Sequence, residues 1–312
     1  MVVFVMGPTA VGKSDVALEL ARRWGGEIVS VDSAQVYRGL DIGSAKPSPE
    51  TRAEIPHHLL DLLDPSETYS AARFAEDAAR VVADIQARGR MPILAGGTGL
   101  YFEALERGLA PLPSADPVLR RRMEEEAAAV GWAALHHRLQ TVDPETAARI
   151  HPNDAQRIQR ALEVHALTGE PLSRLQRRRA VPPLGRLQGR LLGGPVLKLI
   201  LAPPSRAWLH RRIEERFHAM LAAGLVEEVA ALRRRGDLSG ELPALRAVGY
   251  RQVWAYLDGA YDEAEMVRRG IVATRRYAKR QLTWLRGREE GHWITAGEGA
   301  NEEASARVES FR

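Results

Sequence analysis

The chain opens on MVVFVMGPTAVGKSD, residues 1–15. The apolar run at 2–6 is rich in valine and stops at Gly7, which reads as a buried strand. Gly7, Pro8, Thr9, Ala10, Val11, Gly12, Lys13 and Ser14 then match the pattern G-x-x-x-x-G-K-[ST] without a gap. A helical pattern follows over 13–25, with Val16, Ala17, Leu20 and Trp24 spaced for one face and Gly25 and Gly26 to end it. In that strand–turn–helix setting the amides of the turn point inward on an anion, and the helix N-terminus adds partial positive charge. Lys13 offers a mobile ammonium, and the Ser14 hydroxyl is the expected inner ligand of Mg²⁺. The stretch therefore marks a phosphate binder of the nucleotide-binding, ATP-binding type. It does not make the chain an ATPase, because the apolar runs at 91–97 and 196–204 end without an acidic residue to hold Mg²⁺ or orient water.

Outward from the loop, EIVSVDS (27–33), MPILAGG (91–97) and VLKLILAPP (196–204) read as further buried strands. Helical patterns lie between them, such as 70–89, with a capping serine and a terminal glycine. Such alternation specifies a parallel sheet wound by right-handed crossovers and covered on both faces. The expected fold is α/β, a P-loop NTPase-like parallel sheet flanked by helices. Between 113 and 191 strand candidates vanish and helical patterns rich in Ala, Arg and Glu take over. That stretch is expected to be a helical insertion domain, with 1–112 and 192–312 forming one discontinuous catalytic core. A long helix is expected from Ser205 to Gly236 and another through 273–287, while the polar stretch 298–312 is expected to fray.

A hydrophobic share of 45% in 312 residues suffices for one substantial core, or one core with an appended module. The absence of cysteine excludes disulfides, thiolate chemistry and cysteine-ligated zinc, and fits a reducing cytoplasm. No apolar run is long enough to span a membrane and MVVFVM lacks a basic leader, so a soluble cytoplasmic protein is expected. The net charge of +4 says less than its placement, because arginines crowd 173–190 and 268–288. Such clusters suit a polyanion such as nucleic acid, or a solvated surface. The adjacent histidines at 57–58 and 136–137 diverge on their elements and are assigned no zinc.

Only the strand EIVSVDS delivers a carboxylate, Asp32, to the sheet edge where such folds bind ligands. In DSAQVYRGLDIGSAKP (32–47), Asp32 suits a magnesium ligand, a general base toward an acceptor nucleophile, or a helix cap before a surface loop. The Gln35 amide suits a base edge. In GGTGLYFEAL (96–105) the paired glycines permit close approach to a ligand or a tight turn, with Thr98 and Tyr101 as polar groups. In QRIQR (156–160), Arg157 and Arg160 share a helical face while Ile158 can turn to a core.

Taken in order, GPTAVGKS, DSAQVYRGLDIGSAKP, GGTGLY, RIHPNDAQRIQRALEV (149–164), RFHAMLAAGLVEEV (216–229), AVGYRQVW (247–254) and TRRYAKRQLTWLR (274–286) resemble the signature set of the tRNA dimethylallyltransferases, or tRNA isopentenyltransferases, of bacterial type. The resemblance runs from residue 2 to the region of residue 294. It implies transfer of a dimethylallyl group from dimethylallyl diphosphate to the exocyclic amine of the adenosine on the 3′ side of the anticodon. It implies Mg²⁺ as cofactor and the tRNA anticodon stem-loop as partner; no membrane partner is expected from the apolar runs, and nothing in the sequence demands more than a monomer. It also implies that residues 7–14 hold the diphosphate, with Thr9 and Arg216 at the leaving group and Ser14 on Mg²⁺. Asp32 is then the base, Asp32, Ser33, Ala34 and Gln35 lie against the target base, and Thr98, Arg120, Gln156, Arg157, Ile158, Gln159 and Arg160 face the tRNA. The rival readings are a P-loop small-molecule or nucleotide kinase using ATP, and a noncatalytic RNA-binding protein.

Overall fold

The computed structural model describes residues 1–178, 195–287 and 290–311. Residues 179–190 of one arginine-rich stretch and Arg288 of the other therefore lie outside the described residues. The chain divides into two compact units, Met1–Glu106 with Pro183–Arg312, and Arg107–Pro182.

The N-terminal part of the first unit supplies β1 (Val2–Met6), α1 (Lys13–Trp24), β2 (Gly26–Val31), α2 (Pro49–Glu54), β3 (His57–His58), α3 (Ala71–Ala87), β4 (Met91–Gly96) and α4 (Gly99–Arg107). The second unit is helical, with α5 (Pro117–Val130), α6 (Trp132–Val142), α7 (Pro144–Arg149), α8 (Ala155–Thr168) and α9 (Leu172–Arg177). The chain then returns through β5 (Val196–Ala202), α10 (Arg206–Ala222), α11 (Leu225–Arg234), α12 (Tyr250–Leu257), α13 (Glu263–Arg286), β6 (His292–Thr295) and α14 (Ala300–Phe311).

The strands form one six-stranded sheet in the order β3-β2-β4-β1-β5-β6, and every pairing is parallel. β1 and β2 are buried along their whole length, which is why their sequences read as continuous apolar runs. Register then places the site. Met6 lies opposite both Gly96 and Ile200, and Val31 opposite Gly96. The residues that follow β1, β2 and β4 thus emerge side by side at one sheet edge.

Local rules explain most boundaries. Ser70 caps α3 by accepting from the Arg73 amide, and Gly25 ends α1 in a left-handed conformation. Two expectations fail. The long helix from Ser205 is two helices, because Gly224 at φ +99° turns the chain between α10 and α11. The polar C-terminal stretch does not fray. It forms α14, whose Ala300, Ala304, Ser305 and Val308 are buried and recur at helical spacing. Small side chains let this helix share a core with Val16, Ala17 and Leu20 of α1. Mean polarity hides a stripe that narrow.

The helical unit has a core built from Met123, Leu135, Leu139, Ile158, Leu162 and their neighbours, and it buries two acids, Asp143 and Glu163. Glu163 is fully buried and accepts from Arg120 at 2.8 and 2.9 Å, from Arg160 at 2.5 Å and from the Asp116 amide at 2.9 Å. Burial pushes its carboxyl up, but the two guanidiniums pull it further down, below its ordinary value. This contribution to stability is therefore present at neutral pH and is lost as pH falls through the depressed folded value. Glu163→Ala would strand two guanidiniums, and is expected to destabilise the unit by about 3 kcal/mol. A urea midpoint equal to wild type would refute it.

Candidate functional site

The phosphate loop Gly7–Ser14 joins β1 to α1. Ala10 is left-handed at φ +64°, a conformation that disfavours a residue with a Cβ by about 1–2 kcal/mol. Contacts from the C-terminal half of the chain hold the loop in that shape. Arg212 of α10 donates from Nε to the Ala10 carbonyl at 3.0 Å. Gln281 of α13 accepts from the Thr9 amide at 2.8 Å. Lys13 donates from Nζ to the Pro8 carbonyl at 2.7 Å. Burial pushes its ammonium down to about 7; Arg216 pushes the same way and Asp32 opposes.

Asp32 follows β2 directly. Its Oδ1 accepts from the Ala34 amide at 2.8 Å, a turn that fixes the carboxylate at the strand end. Arg216 of α10 lies close by. Burial lowers its pKa, the Asp32 charge raises it and Arg212 lowers it. Lys13, Arg216 and Asp32 thus form one electrostatically coupled group of two bases and an acid.

Two adjoining cavities meet at that group. The smaller, ≈ 210 Å³, is lined by Lys13, Ser14, Ser30 and Gly97 among others. The larger, ≈ 360 Å³, is lined by Tyr37, Tyr69, Tyr101, Ile213, Phe217 and Met220 among others. Thr9, Asp32, Ser44, Arg216 and Tyr277 line both. Burial raises Tyr277 to about 12, with Asp32 pushing the same way and Thr98 against it. Burial also raises Tyr101. Both phenols therefore keep their protons at neutral pH and can donate hydrogen bonds.

The segment 32–47 is more structural than its sequence suggests. Glu228 of α11 accepts from the amides of Asp41, Ile42 and Gly43 at 3.0, 2.7 and 3.2 Å, and from the Tyr250 hydroxyl at 2.6 Å. Lys46 donates to Asp41, Asp61 and the Tyr37 carbonyl. The Gln35 amide, expected to face a base edge, is engaged at both ends. Its Oε1 accepts from Ser30 at 2.7 Å and its Nε2 donates to the Ser44 and Ala45 carbonyls at 3.2 and 3.1 Å.

The paired glycines also serve the fold. Helix α13 crosses the turn after β4 so closely that a Cβ on Gly97 would strike Gln281, and one on Gly99 would strike Trp284. The close approach includes that of a helix, and Gly96 and Gly97 also line the smaller cavity. Thr98 sits in this turn with its hydroxyl buried.

Thus Thr9, Lys13, Ser14, Asp32, Ser33, Ala34, Gln35 and Arg216 all line one or both cavities. The positions expected to face tRNA in the helical unit divide. Gln156 and Arg157 are exposed. Ile158 is in the core, and Gln159 is buried with its amide donating to the Arg120 carbonyl and Glu124. Those two side chains cannot meet RNA on this surface, and Arg120 and Arg160 spend much of their donor capacity on Glu163. Sequence reasoning passed over Arg212, Glu228, Tyr277 and Gln281. The only signal was a tyrosine and a glutamine four residues apart in an arginine-rich helix.

Residues 35–288 match the family model described as IPP transferase. A tRNA dimethylallyltransferase of Halorhodospira halophila is 63% identical over 310 residues, covering 99% of this chain and 96% of that protein. One of Alkalilimnicola ehrlichii is 61% identical over 312 residues, covering 99% and 95%. Among solved structures, a tRNA isopentenylpyrophosphate transferase of Bacillus halodurans is similar with a TM-score of 0.67 and 36% identity, over 99% of this chain and 97% of that one. A eukaryotic dimethylallyltransferase described as acting on tRNA has a TM-score of 0.74 and 26% identity, over 98% and 77%.

Proposed function

This chain belongs to the IPP transferase family, and from that premise we propose that it transfers a dimethylallyl group from dimethylallyl diphosphate to the exocyclic amine of the adenosine 3′ of the anticodon in tRNA. The observation that supports the residue assignment is the junction of the two cavities, where the phosphate loop, Arg216 and Asp32 converge. The smaller cavity takes the diphosphate against Lys13 and the loop amides. The larger one, with its tyrosines and apolar wall, takes the extruded base, since a base stacked in an anticodon loop cannot reach a recessed site.

The roles follow from charge. The allylic C–O bond breaks with its electron pair on the departing diphosphate, and Lys13, Arg216 and Thr9 stabilise that charge. The amine nitrogen bonds to the allylic carbon, and its proton passes to Asp32. The amine is a poor nucleophile because its lone pair is delocalised into the ring, so a base held at the junction matters. Ser14 is exposed on the wall of the smaller cavity. Its hydroxyl together with diphosphate oxygens makes the hard-oxygen set that suits Mg²⁺, so Ser14 would hold the ion. Bound there, Mg²⁺ would neutralise part of the leaving group's charge.

Among the described residues no helix is long and apolar enough to cross a membrane. We place the protein in the cytoplasm with its tRNA, acting as a monomer, since one chain lines both cavities. The direct test is prenylation of an anticodon stem-loop with labelled dimethylallyl diphosphate and Mg²⁺ but no ATP. A strict requirement for ATP, with phosphate release, would replace this reading with the kinase.

The exposed Arg157, 72% open to solvent on its side chain, provides a check on tRNA contact. Arg157→Ala is expected to weaken stem-loop binding and flatten the salt dependence by about one unit of slope, with thermal stability unchanged. An unaltered slope would return α8 to the role of a solvated surface.

A further inference from the structure

Helix α13 sets a neutral amide against the phosphate loop in a position where a cation would be unremarkable. Gln281 is 8% exposed. Its Oε1 accepts from the Thr9 amide at 2.8 Å and its Nε2 donates to the Gly97 carbonyl at 2.9 Å. The first group belongs to the turn after β1 and the second to the turn after β4. These strands are neighbours, with Met6 opposite Gly96. One side chain therefore ties together the two turns that open onto the smaller cavity, which it also lines. One helical turn earlier, Tyr277 lines both cavities.

Two consequences follow. The Thr9 amide is spent on the protein, so the anion is left to the remaining loop amides and to the side chains of Thr9, Lys13 and Arg216. The orientation of Thr9 is fixed from outside the loop, and Thr9 stands at the junction of the cavities. The amide side chain satisfies both partners, because it accepts at one end and donates at the other. A carboxylate would set its second oxygen against the Gly97 carbonyl and add negative charge beside a bound diphosphate.

We propose that Gln281 is a positioning residue for the transfer reaction, one that holds the Thr9 end of the phosphate loop against the turn after β4 so that the loop meets a diphosphate preorganised. This inference rests on the proposed function for its substrate.

The test compares Gln281→Glu and Gln281→Met with wild type, using labelled dimethylallyl diphosphate and an anticodon stem-loop, with calorimetric titration by inorganic pyrophosphate alongside. Gln281→Glu is expected to raise the KM for dimethylallyl diphosphate and the Kd for pyrophosphate about tenfold or more, leaving the KM for RNA within about twofold. Gln281→Met, which keeps the volume but neither hydrogen bond, is expected to lower kcat about tenfold and weaken pyrophosphate binding while the RNA constant stays put. Wild-type pyrophosphate affinity in both variants would overturn the proposal. So would donor and RNA constants that move together, since general loosening of the fold affects both. Failure of the wild-type protein to prenylate RNA would instead sink the proposed function, and the pyrophosphate titration would still read the loop.

Discussion

Asp32→Asn is expected to lower turnover by about a hundredfold or more while RNA affinity stays within a few fold. The substitution is a sharp one because the local structure survives it. The Asn carbonyl can still accept from the Ala34 amide, as Oδ1 of Asp32 does at 2.8 Å, so the turn at the end of β2 keeps its shape. What disappears is the proton acceptor and the negative charge that Lys13 and Arg216 feel. If Asp32 takes the amine proton as the new C–N bond forms, single-turnover rates fall and binding does not. Wild-type turnover in the variant would remove Asp32 from the mechanism.

Lys13→Met is expected to lower kcat by about a hundredfold to a thousandfold, as for loss of one preorganised donor at a developing negative charge. It carries a second, pH-dependent signature. Burial holds the Lys13 ammonium down to about 7, so at pH 8 and without a bound anion most of it is neutral. A bound pyrophosphate favours the charged form and draws a proton from solvent. The sign is fixed: affinity contributed by this group rises as pH falls from 9 toward 7 and levels off below, where the ammonium is already charged. Calorimetry at pH 8 in buffers of different ionisation enthalpy should show uptake of about one proton attributable to Lys13, absent in the methionine variant. Equal proton uptake in the two proteins would mean that Lys13 does not face the anion.

How far the site was legible depended on where its parts lie in the chain. The loop 7–14 and Asp32 are each set by a strand that ends next to them, and a continuous apolar run announces such a strand. Arg216 could be placed only through a family resemblance, because α10 carries several arginines and nothing local says which one turns inward. The helix Ala300–Phe311 was misread for a related reason. Its packing depends on small residues against α1, and small residues leave little trace in a hydropathy pattern.

The parallel α/β sheet, the phosphate loop, the acid after β2 and the helical character of 113–178 were legible in the sequence, since periodicity and turn chemistry act over a few neighbouring residues. Tertiary structure alone decided which polar side chains serve the site and which serve the fold. Gln35, Glu228 and Gln281 each satisfy backbone groups at least nine residues away in the chain. A hydrogen bond of that kind has no local signature, because its partner is chosen by how the helices cross the sheet edge and not by what stands beside it in the chain.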